Sequence, residues 1–198
     1  MDADPRDRSK RELRASALAR RAARSREEQD EAAGLLAARV MELARAERAE
    51  TVTAYLSLPG EPGTAPLLAA LGAAGVRVLL PVVTEGLDLD WAELTDGETR
   101  PGPLGLSEPT GPRQGAYAIQ DAGVLVCPGL LGSPRGERLG RGGGCYDRAL
   151  ARALPTAVRC LLLWDDEVLE SLPTEPHDQT VDVIVTPSRL IRTSAGRF

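Results

Sequence analysis

Apolar residues along the chain follow two periods, one typical of helices and one typical of strands. Residues 9–23 have helical spacing, and residues 25–46 begin with Ser25 and Glu28, which stand three positions apart as in a capping box. Further helices are predicted at 65–74, at 146–154 and within DDEVLESL at 165–172. Strands are predicted at 51–58, 76–83, 87–94, 122–129, 158–164 and 181–187. The stretch 95–115, rich in glycine and proline, is predicted to be a loop.

The order of these elements predicts the fold class. Strands alternate with helices, and several strands are apolar throughout, as expected for strands that are covered on both faces. We therefore expect an α/β fold: a three-layer sandwich with a mostly parallel open sheet and helices on both faces. The 198 residues suffice for one full core, so we expect a single domain over 1–198 with an arginine-rich helix at about 9–23.

Charge and composition limit the classes of partner. The 24 basic and 29 acidic residues give a formal net charge of -5, which argues against a protein that coats nucleic acid. No apolar run approaches the roughly 20 residues of a membrane-spanning helix, and the N-terminal residues lack an apolar signal segment. Three cysteines without metal-type pair spacing suit a reducing compartment. We expect a cytoplasmic protein with small-molecule partners, no membrane and no nucleic acid.

Basic side chains are concentrated near the N-terminus. Residues 1–26 carry nine basic and four acidic side chains, and Lys10 is the only lysine of the chain. Most of the arginines are expected to cover a solvated helix face. Lys10 and Arg14 stand four residues apart, so a helix places both on one face, where they could bind one anion together.

RLGRGGGCYD at 138–147 is a second segment suited to an anion. Four of its ten residues are glycine, and it lies between a predicted strand and a predicted helix. Ligands of parallel sheets bind on such connections, where free backbone N–H groups and a helix N-terminus favour phosphate. A mobile glycine linker is the alternative interpretation. Residues 129–147 contain no lysine, which excludes a Walker A loop, and the distance from the strand disfavours a dinucleotide fingerprint through Gly140, Gly142 and Asp165.

Four segments carry a family resemblance. PGLLGSPRGERLGRGGGCYDRAL at 128–150 is similar to the signature of the 5-formyltetrahydrofolate cyclo-ligase family, also called 5,10-methenyltetrahydrofolate synthetases. KRELR at 10–14, YLSLPGEPGT at 55–64 and LPTEPHDQTVDVIVTP at 172–187 resemble other segments of the family, in the same order. The resemblance therefore spans almost the whole chain.

The resemblance implies an open-sheet α/β enzyme that uses ATP as co-substrate and Mg²⁺ as cofactor. It would convert 5-formyltetrahydrofolate to 5,10-methenyltetrahydrofolate and release ADP and phosphate. Phosphoryl transfer to the formyl oxygen makes that oxygen a leaving group, so N10 can attack and then expel phosphate. The protein needs no nucleophile; it positions the reactants and stabilises charge. The single histidine, His177, is expected to be a structural or surface residue.

The resemblance also implies roles for individual residues. ATP would contact two groups of residues: Lys10, Arg11, Glu12, Leu13 and Arg14, then Arg138, Leu139, Gly140, Arg141, Gly142, Gly143, Gly144, Cys145 and Tyr146. Arg141 is the predicted catalytic residue, because a guanidinium can stabilise the charge of the transferring phosphoryl group. Folate would contact Leu56, Glu61 and the loop residues Arg141 to Cys145.

Two carboxylates, Asp147 and Asp182, match the metal positions of the family, and carboxylate oxygens suit Mg²⁺. Without the family, a helix N-cap or first-turn charge is the alternative interpretation of Asp147, and Asp182 is equally well a strand-end carboxylate. Glu61 alone would be interpreted as an ordinary loop charge.

The chain departs from the family pattern at two places. Cys145 stands where the family usually has an aromatic residue, and Gly132 and Ser133 stand where it often has Phe-Asp. These departures are expected to weaken folate stacking. Two other classes therefore stay open: a diverged member that binds ATP and acts on another amide or carboxylate, and a nucleotide-binding regulatory module without turnover. Product formation separates them. We expect a monomer.

Overall fold

A computed structural model describes residues 5–95, 97–102 and 107–196. Its α-helices are Pro5–Ala22 (α1), Arg26–Ala46 (α2), Ala65–Ala73 (α3) and Cys145–Arg152 (α4). Its strands are Thr51–Thr53 (β1), Arg77–Val83 (β2), Leu89–Glu93 (β3), Thr99–Pro101 (β4), Ser107–Pro109 (β5), Val124–Pro128 (β6), Leu131–Gly132 (β7), Arg138–Leu139 (β8), Val158–Leu162 (β9), Val183–Val185 (β10) and Leu190–Arg192 (β11). Within these residues no helix is long and apolar enough to cross a membrane.

Seven strands form one sheet in the order β11-β10-β9-β6-β1-β2-β3. The five inner strands are parallel, and the edge strands β3 and β11 are antiparallel to their neighbours. The prediction of a mostly parallel sheet is confirmed. The chain moves from β1 outward to β2 and later returns to β6 on the other side of β1, so the strand order reverses between β1 and β6. Ligands of open α/β sheets bind at such a reversal, outside the carboxyl ends of the strands.

Alternate residues of the inner strands pack into two separate apolar layers. Val124 and Val126 of β6 belong to a cluster with residues of α2 and α3, whereas Leu125 and Cys127 belong to a cluster with Leu150 of α4. Successive side chains of a strand point to opposite faces, so one continuous apolar run serves both layers. Helices therefore cover both faces of the sheet, as predicted.

Helix α1 is held outside these two layers by a third cluster and a buried ion pair. Ala17 packs with apolar residues of the β7 and β8 region. Arg21 donates from Nε to Glu167 Oε1 at 2.6 Å and from Nη2 to the carbonyl of Gly129 at 2.6 Å. Burial is the largest single effect on the pKa of Arg21 and lowers it, but the bond to Glu167 and the charges of Glu167 and Glu61 together raise that pKa above its ordinary value. These contacts fix α1 beside the carboxyl end of β6.

Some predicted elements differ from the observed ones. The capping box is confirmed, because Ser25 Oγ accepts from the N–H of Glu28 at 3.2 Å and Glu28 Oε2 accepts from the N–H of Ser25 at 2.8 Å. The predicted helix at 165–172 is wrong: only one 3-10 turn forms, at Asp165–Glu167, because Glu167 turns inward to Arg21. The predicted loop at 95–115 contains β4 and β5; its residues 96 and 103–106 lie outside the described residues.

Candidate active site

A cleft of about 520 Å³ lies where the strand order reverses. Tyr55 and Leu56, which follow β1, and Pro128 and Gly129, at the end of β6, contribute to its lining. The loop after β8 and the first turn of α4 form a second wall, at 138–147. The position of the cleft therefore agrees with the binding edge that the sheet topology indicates.

The glycines of this loop permit its backbone conformation and leave space for arginine side chains of the same chain. Gly142 and Gly144 have φ values of +101° and +68°, which favour glycine. A Cβ on Gly140 would lie 2.9 Å from Nη1 of Arg138, and one on Gly144 would lie 2.8 Å from Nη1 of Arg148. The sequence pattern was interpreted as an anion-binding loop or a mobile linker, whereas part of the space beside these glycines is taken by guanidinium groups of the same chain.

Lys10 reaches the cleft from α1 and forms two ion pairs there. Its Nζ donates to Glu175 Oε2 at 2.6 Å and to Asp178 Oδ2 at 2.8 Å, and the residue is only 3% exposed. Burial alone lowers the pKa of Lys10, but the bonds to Asp178 and Glu175 outweigh burial and raise it. Burial is the largest single effect on the pKa of Asp178 and raises it, but the bond and charge of Lys10 and the bond from the N–H of Glu175 together lower that pKa below its ordinary value. Lys10 is therefore charged and faces two carboxylates.

Arg14 and Arg138 connect the glycine loop to its surroundings. Arg14 Nε donates to the carbonyl of Gly140 at 3.0 Å, which ties α1 to the loop. Arg138 Nη2 donates to Asp147 Oδ1 at 2.6 Å, and the same oxygen accepts from the N–H of Gln179 at 3.1 Å. Asp147 is thereby held next to the segment that carries Asp178.

Arg141 crosses the cleft to Glu61. Its Nε and Nη2 donate to Glu61 Oε1 at 3.1 and 3.0 Å, and Glu61 Oε2 accepts from the N–H of Leu58 at 3.0 Å. The Arg141 side chain is 47% exposed and the Glu61 side chain only 8%. Glu61 is fixed by the backbone of its own loop, so Arg141 is the partner with more freedom to move.

The cleft brings together most of the residues that the sequence predicted. Those that line it are Lys10, Arg14, Leu56, Glu61, Arg138, Leu139, Gly140, Arg141, Gly142, Gly143, Gly144, Cys145, Tyr146 and Asp147. Arg11 and Glu12 are exposed and do not line the cleft, because they lie on the outer face of α1. Leu13 packs against the apolar cluster that contains Ala17 and does not line the cleft.

Asp182 is not brought to the cleft. It immediately precedes β10, and its Oδ2 accepts from the N–H of Arg159 at 2.8 Å at the start of β9. Because β9 and β10 run parallel to β6, this position lies at the amino end of the strands, opposite the cleft. The structure therefore corrects the pairing of Asp182 with Asp147 as neighbouring metal ligands.

The sequence interpretation missed Glu175 and Asp178, which do line the cleft. Together with His177 they offer ligand atoms that all lie within 4.8 Å of one another. His177 stands at the rim and its side chain is 69% exposed. The signal was present in the sequence, since EPHD precedes the last predicted strand by a few residues, but spacing alone did not show which acidic residue faces the cleft.

The described cleft has a charged wall and an apolar wall. Lys10, Arg14 and Arg138 lie with the carboxylates on the charged wall. Leu80 and Val83 of β2 and Leu89, the first residue of β3, also line the cleft and form its apolar wall. Such a site can bind a polyanion on one side and an aromatic ring on the other.

Known proteins resemble this chain over most of its length. Residues 6–187 match the 5-formyltetrahydrofolate cyclo-ligase family. The 5-formyltetrahydrofolate cyclo-ligase of Mycolicibacterium smegmatis is 40% identical over 144 residues, which cover 70% of this chain and 74% of that protein. The protein of the same name from Escherichia coli is 33% identical over 175 residues, which cover 86% of this chain and 96% of that protein.

Solved structures show the same fold. The NMR structure of Aquifex aeolicus 5,10-methenyltetrahydrofolate synthetase has a TM-score of 0.81 at 27% identity and covers 96% of this chain and 95% of that chain. A synthetase from Mycoplasma pneumoniae has a TM-score of 0.72 at 17% identity, which is a likeness of fold alone. The family match includes every segment that forms the cleft, and with the relatives above it shows that this chain belongs to the 5-formyltetrahydrofolate cyclo-ligase family.

Proposed function

We propose that this chain catalyses the ATP- and Mg²⁺-dependent cyclisation of 5-formyltetrahydrofolate to 5,10-methenyltetrahydrofolate, with release of ADP and phosphate. One observation carries the proposal: basic and acidic side chains from distant segments meet in one cleft. They are Lys10, Arg14, Arg138, Arg141, Glu61, Asp147, Glu175 and Asp178. Family membership supplies the reaction, and this charge arrangement supplies the groups that the reaction needs.

ATP binds along the charged wall in this proposal. Lys10 and Arg14 present an ammonium and a guanidinium from one face of α1, and both can bind phosphate oxygens. The backbone of Gly140 to Gly144 leads into the N-terminus of α4, where free N–H groups favour an anion. Lys10 must then exchange at least one of its carboxylate partners for a phosphate oxygen.

The carboxylates of the charged wall fit Mg²⁺. Asp147 and Asp178 both line the cleft and supply hard oxygen donors, and Asp147 accepts from the N–H of Gln179, the residue after Asp178. Glu175, beside Asp178, adds a third carboxylate. We propose that Asp147 and Asp178 hold the ion. When bound, it neutralises negative charge on the phosphates. Arg138 keeps Asp147 in place through its bond to Oδ1.

The folate ring lies against the apolar wall, where Leu56 contacts it and Glu61 accepts hydrogen bonds from its N–H groups. Its formyl oxygen attacks the γ-phosphorus of ATP, and the bond to the bridging oxygen breaks, so ADP leaves. N10 then attacks the formyl carbon and closes the ring. The carbon–oxygen bond breaks with loss of phosphate, and N10 gives up its proton.

Arg141 stabilises the transferring phosphoryl group in this scheme. Its guanidinium is bound to Glu61 in the structure, and a pterin ring bound to Glu61 would compete for the same carboxylate. Arg141 would then be free to turn toward the phosphates, where a donor aimed at developing charge has its largest effect. Cys145 lines the cleft but has no covalent role, because phosphate already provides the leaving group.

The proposed activity is tested with purified protein, ATP, MgCl₂ and 5-formyltetrahydrofolate, by following the near-ultraviolet absorbance of the methenyl product. We expect product and ADP in equal amounts, and none when ATP or the divalent ion is omitted. ATP binding without methenyl formation would refute the proposal and favour a diverged ligase or a regulatory module.

A further inference from the structure

Two phenol groups in the cleft lack hydrogen-bond partners. Tyr55 and Tyr146 both line the cleft, and the hydroxyl of each is buried without a partner among the described residues. Tyr55 is only 4% exposed. A buried hydroxyl without a partner is unfavourable, and nearly all such groups in folded proteins are satisfied. The presence of two such hydroxyl groups in one cleft indicates that a bound ligand supplies their missing hydrogen-bond partners.

The hydroxyl of Tyr55 has a fixed position. Tyr55 follows β1 at the reversal of strand order, and its carbonyl accepts from Thr64 Oγ1 at 2.6 Å. Its ring packs in the same apolar cluster as Val126 and Leu162. Burial raises the pKa of Tyr55, and the charge of Glu61 raises it further, so the hydroxyl keeps its proton and can donate. A donor held in this way is preorganised for a ligand.

The surroundings of Tyr55 favour a neutral ring over a phosphate. Lys10, Arg14 and Arg138 lie on the charged wall. Tyr55 is followed by Leu56 and packs in the same apolar cluster as Leu80. The guanidinium of Arg141 reaches this loop but is bound to Glu61. Glu61, on the same loop as Tyr55, can only accept hydrogen bonds when ionised. A pterin ring presents both N–H donors and oxygen or nitrogen acceptors, so it needs one acceptor and one donor from the protein.

Resting on the proposed function, we propose that the Tyr55 hydroxyl donates a hydrogen bond to an acceptor atom of the substrate's pterin ring. Glu61 accepts from the ring while Tyr55 donates to it, and together they select the amino-oxo pattern of the pterin edge. Tyr55 is then a specificity-determining residue that the family resemblance did not assign.

The test is Tyr55→Phe, which removes one oxygen and keeps the ring. The bond is present both before and during the reaction, so its loss raises the KM for 5-formyltetrahydrofolate and leaves kcat nearly unchanged. We expect the Kd for 5-formyltetrahydrofolate, measured by calorimetry, and its KM to rise about fivefold to tenfold. The Kd for ATP should not change. Tyr117→Phe is the matched control, because Tyr117 is 67% exposed and does not line the cleft.

Thermal unfolding of the free protein separates this role from a structural one. Because the hydroxyl has no partner in the described structure, Tyr55→Phe should unfold at the same temperature as the parent or higher. A lower unfolding temperature with an unchanged Kd for 5-formyltetrahydrofolate would overturn the proposal, and so would equal losses for ATP and folate. If the parent binds 5-formyltetrahydrofolate without forming product, the proposed activity fails, and the Kd comparison still decides the role of Tyr55.

Discussion

Replacing Lys10 by methionine tests the charged wall of the cleft most directly. Methionine keeps an unbranched side chain and removes the ammonium. The substitution deletes the bonds to Glu175 at 2.6 Å and to Asp178 at 2.8 Å. The two carboxylates are then left without their shared cation, with ligand oxygens within 4.8 Å of each other. We expect the variant to be less stable and to bind ATP less tightly.

The size of the expected loss of stability depends on how exposed each carboxylate partner of Lys10 is. A hydrogen bond between charged groups contributes about 1.5–3 kcal/mol. The bond to Asp178 is expected to keep most of this value, whereas Glu175 is 35% exposed and its ion pair is weakened by water. Lys10→Met should therefore lower the free energy of unfolding by about 2–4 kcal/mol near neutral pH. The KM for ATP should rise about tenfold or more, and the KM for folate much less.

The stability effect should depend on pH. The pKa of folded Asp178 lies below its ordinary value of 3.8, so the unfolded chain takes up this proton at higher pH than the folded chain. The stabilisation that ionised Asp178 contributes is complete above the ordinary pKa of this carboxyl group and is lost as the pH falls through its folded-state pKa. The difference between the parent and Lys10→Met should therefore shrink progressively as the pH falls below 3.8.

Urea unfolding followed by tryptophan fluorescence measures both effects at neutral and acidic pH. Arg11→Met is the control, because Arg11 is the next residue of α1 and is exposed outside the cleft. An equal loss of stability at both pH values would refute the ion-pair argument. So would a loss no larger than that of Arg11→Met.

Substitutions at three further residues test other groups of the cleft. Asp147→Asn should raise the Mg²⁺ concentration needed for half-maximal activity, whereas Asp182→Asn should not; equal Mg²⁺ titrations would tell against a metal role for Asp147. Cys145→Ser should retain most turnover, and Cys145→Tyr should bind 5-formyltetrahydrofolate at least as tightly, since an aromatic contact adds roughly 0.5–1.5 kcal/mol. Complete inactivity of Cys145→Ser with ATP binding intact would make the cysteine catalytic. Arg141→Lys should lower kcat about a hundredfold or more without destabilising the protein, and a change in KM alone would contradict its role in the transition state.

Local patterns predicted the elements that depend on neighbouring residues. The capping box of Ser25 and Glu28 needs only a short segment, and it forms as expected. The apolar run of β6 predicted a strand covered on both faces, because alternate residues of a buried strand must meet two layers. The glycine loop, Lys10 and Arg14 were placed in one site through the family resemblance, and the structure brings them together.

Other features depend on contacts between distant residues, so local patterns did not show them. Residues 165–172 have helical spacing, but Glu167 is drawn inward by Arg21, 146 positions away in sequence. Asp178 and Asp182 lie in one short segment, and only the direction of β10 decides that Asp178 faces the cleft while Asp182 lies at the other end of the strands. Tyr55 was expected to be part of a strand, and its unpartnered hydroxyl is visible only in the folded chain.

The docking of α1 has a consequence for the order in which the protein forms during synthesis. The helix carries Lys10 and Arg14, and its ion-pair partners are Glu167 and the carboxylates at 175 and 178, with sequence separations of 146 to 168 residues. Translation produces α1 long before these carboxylates, so its ion pairs cannot form until residues 167–178 have been made. Contacts of such long separation form late because the intervening chain must first be ordered. The placement of Lys10 against its carboxylates should therefore form only after residues 175–178 have been made.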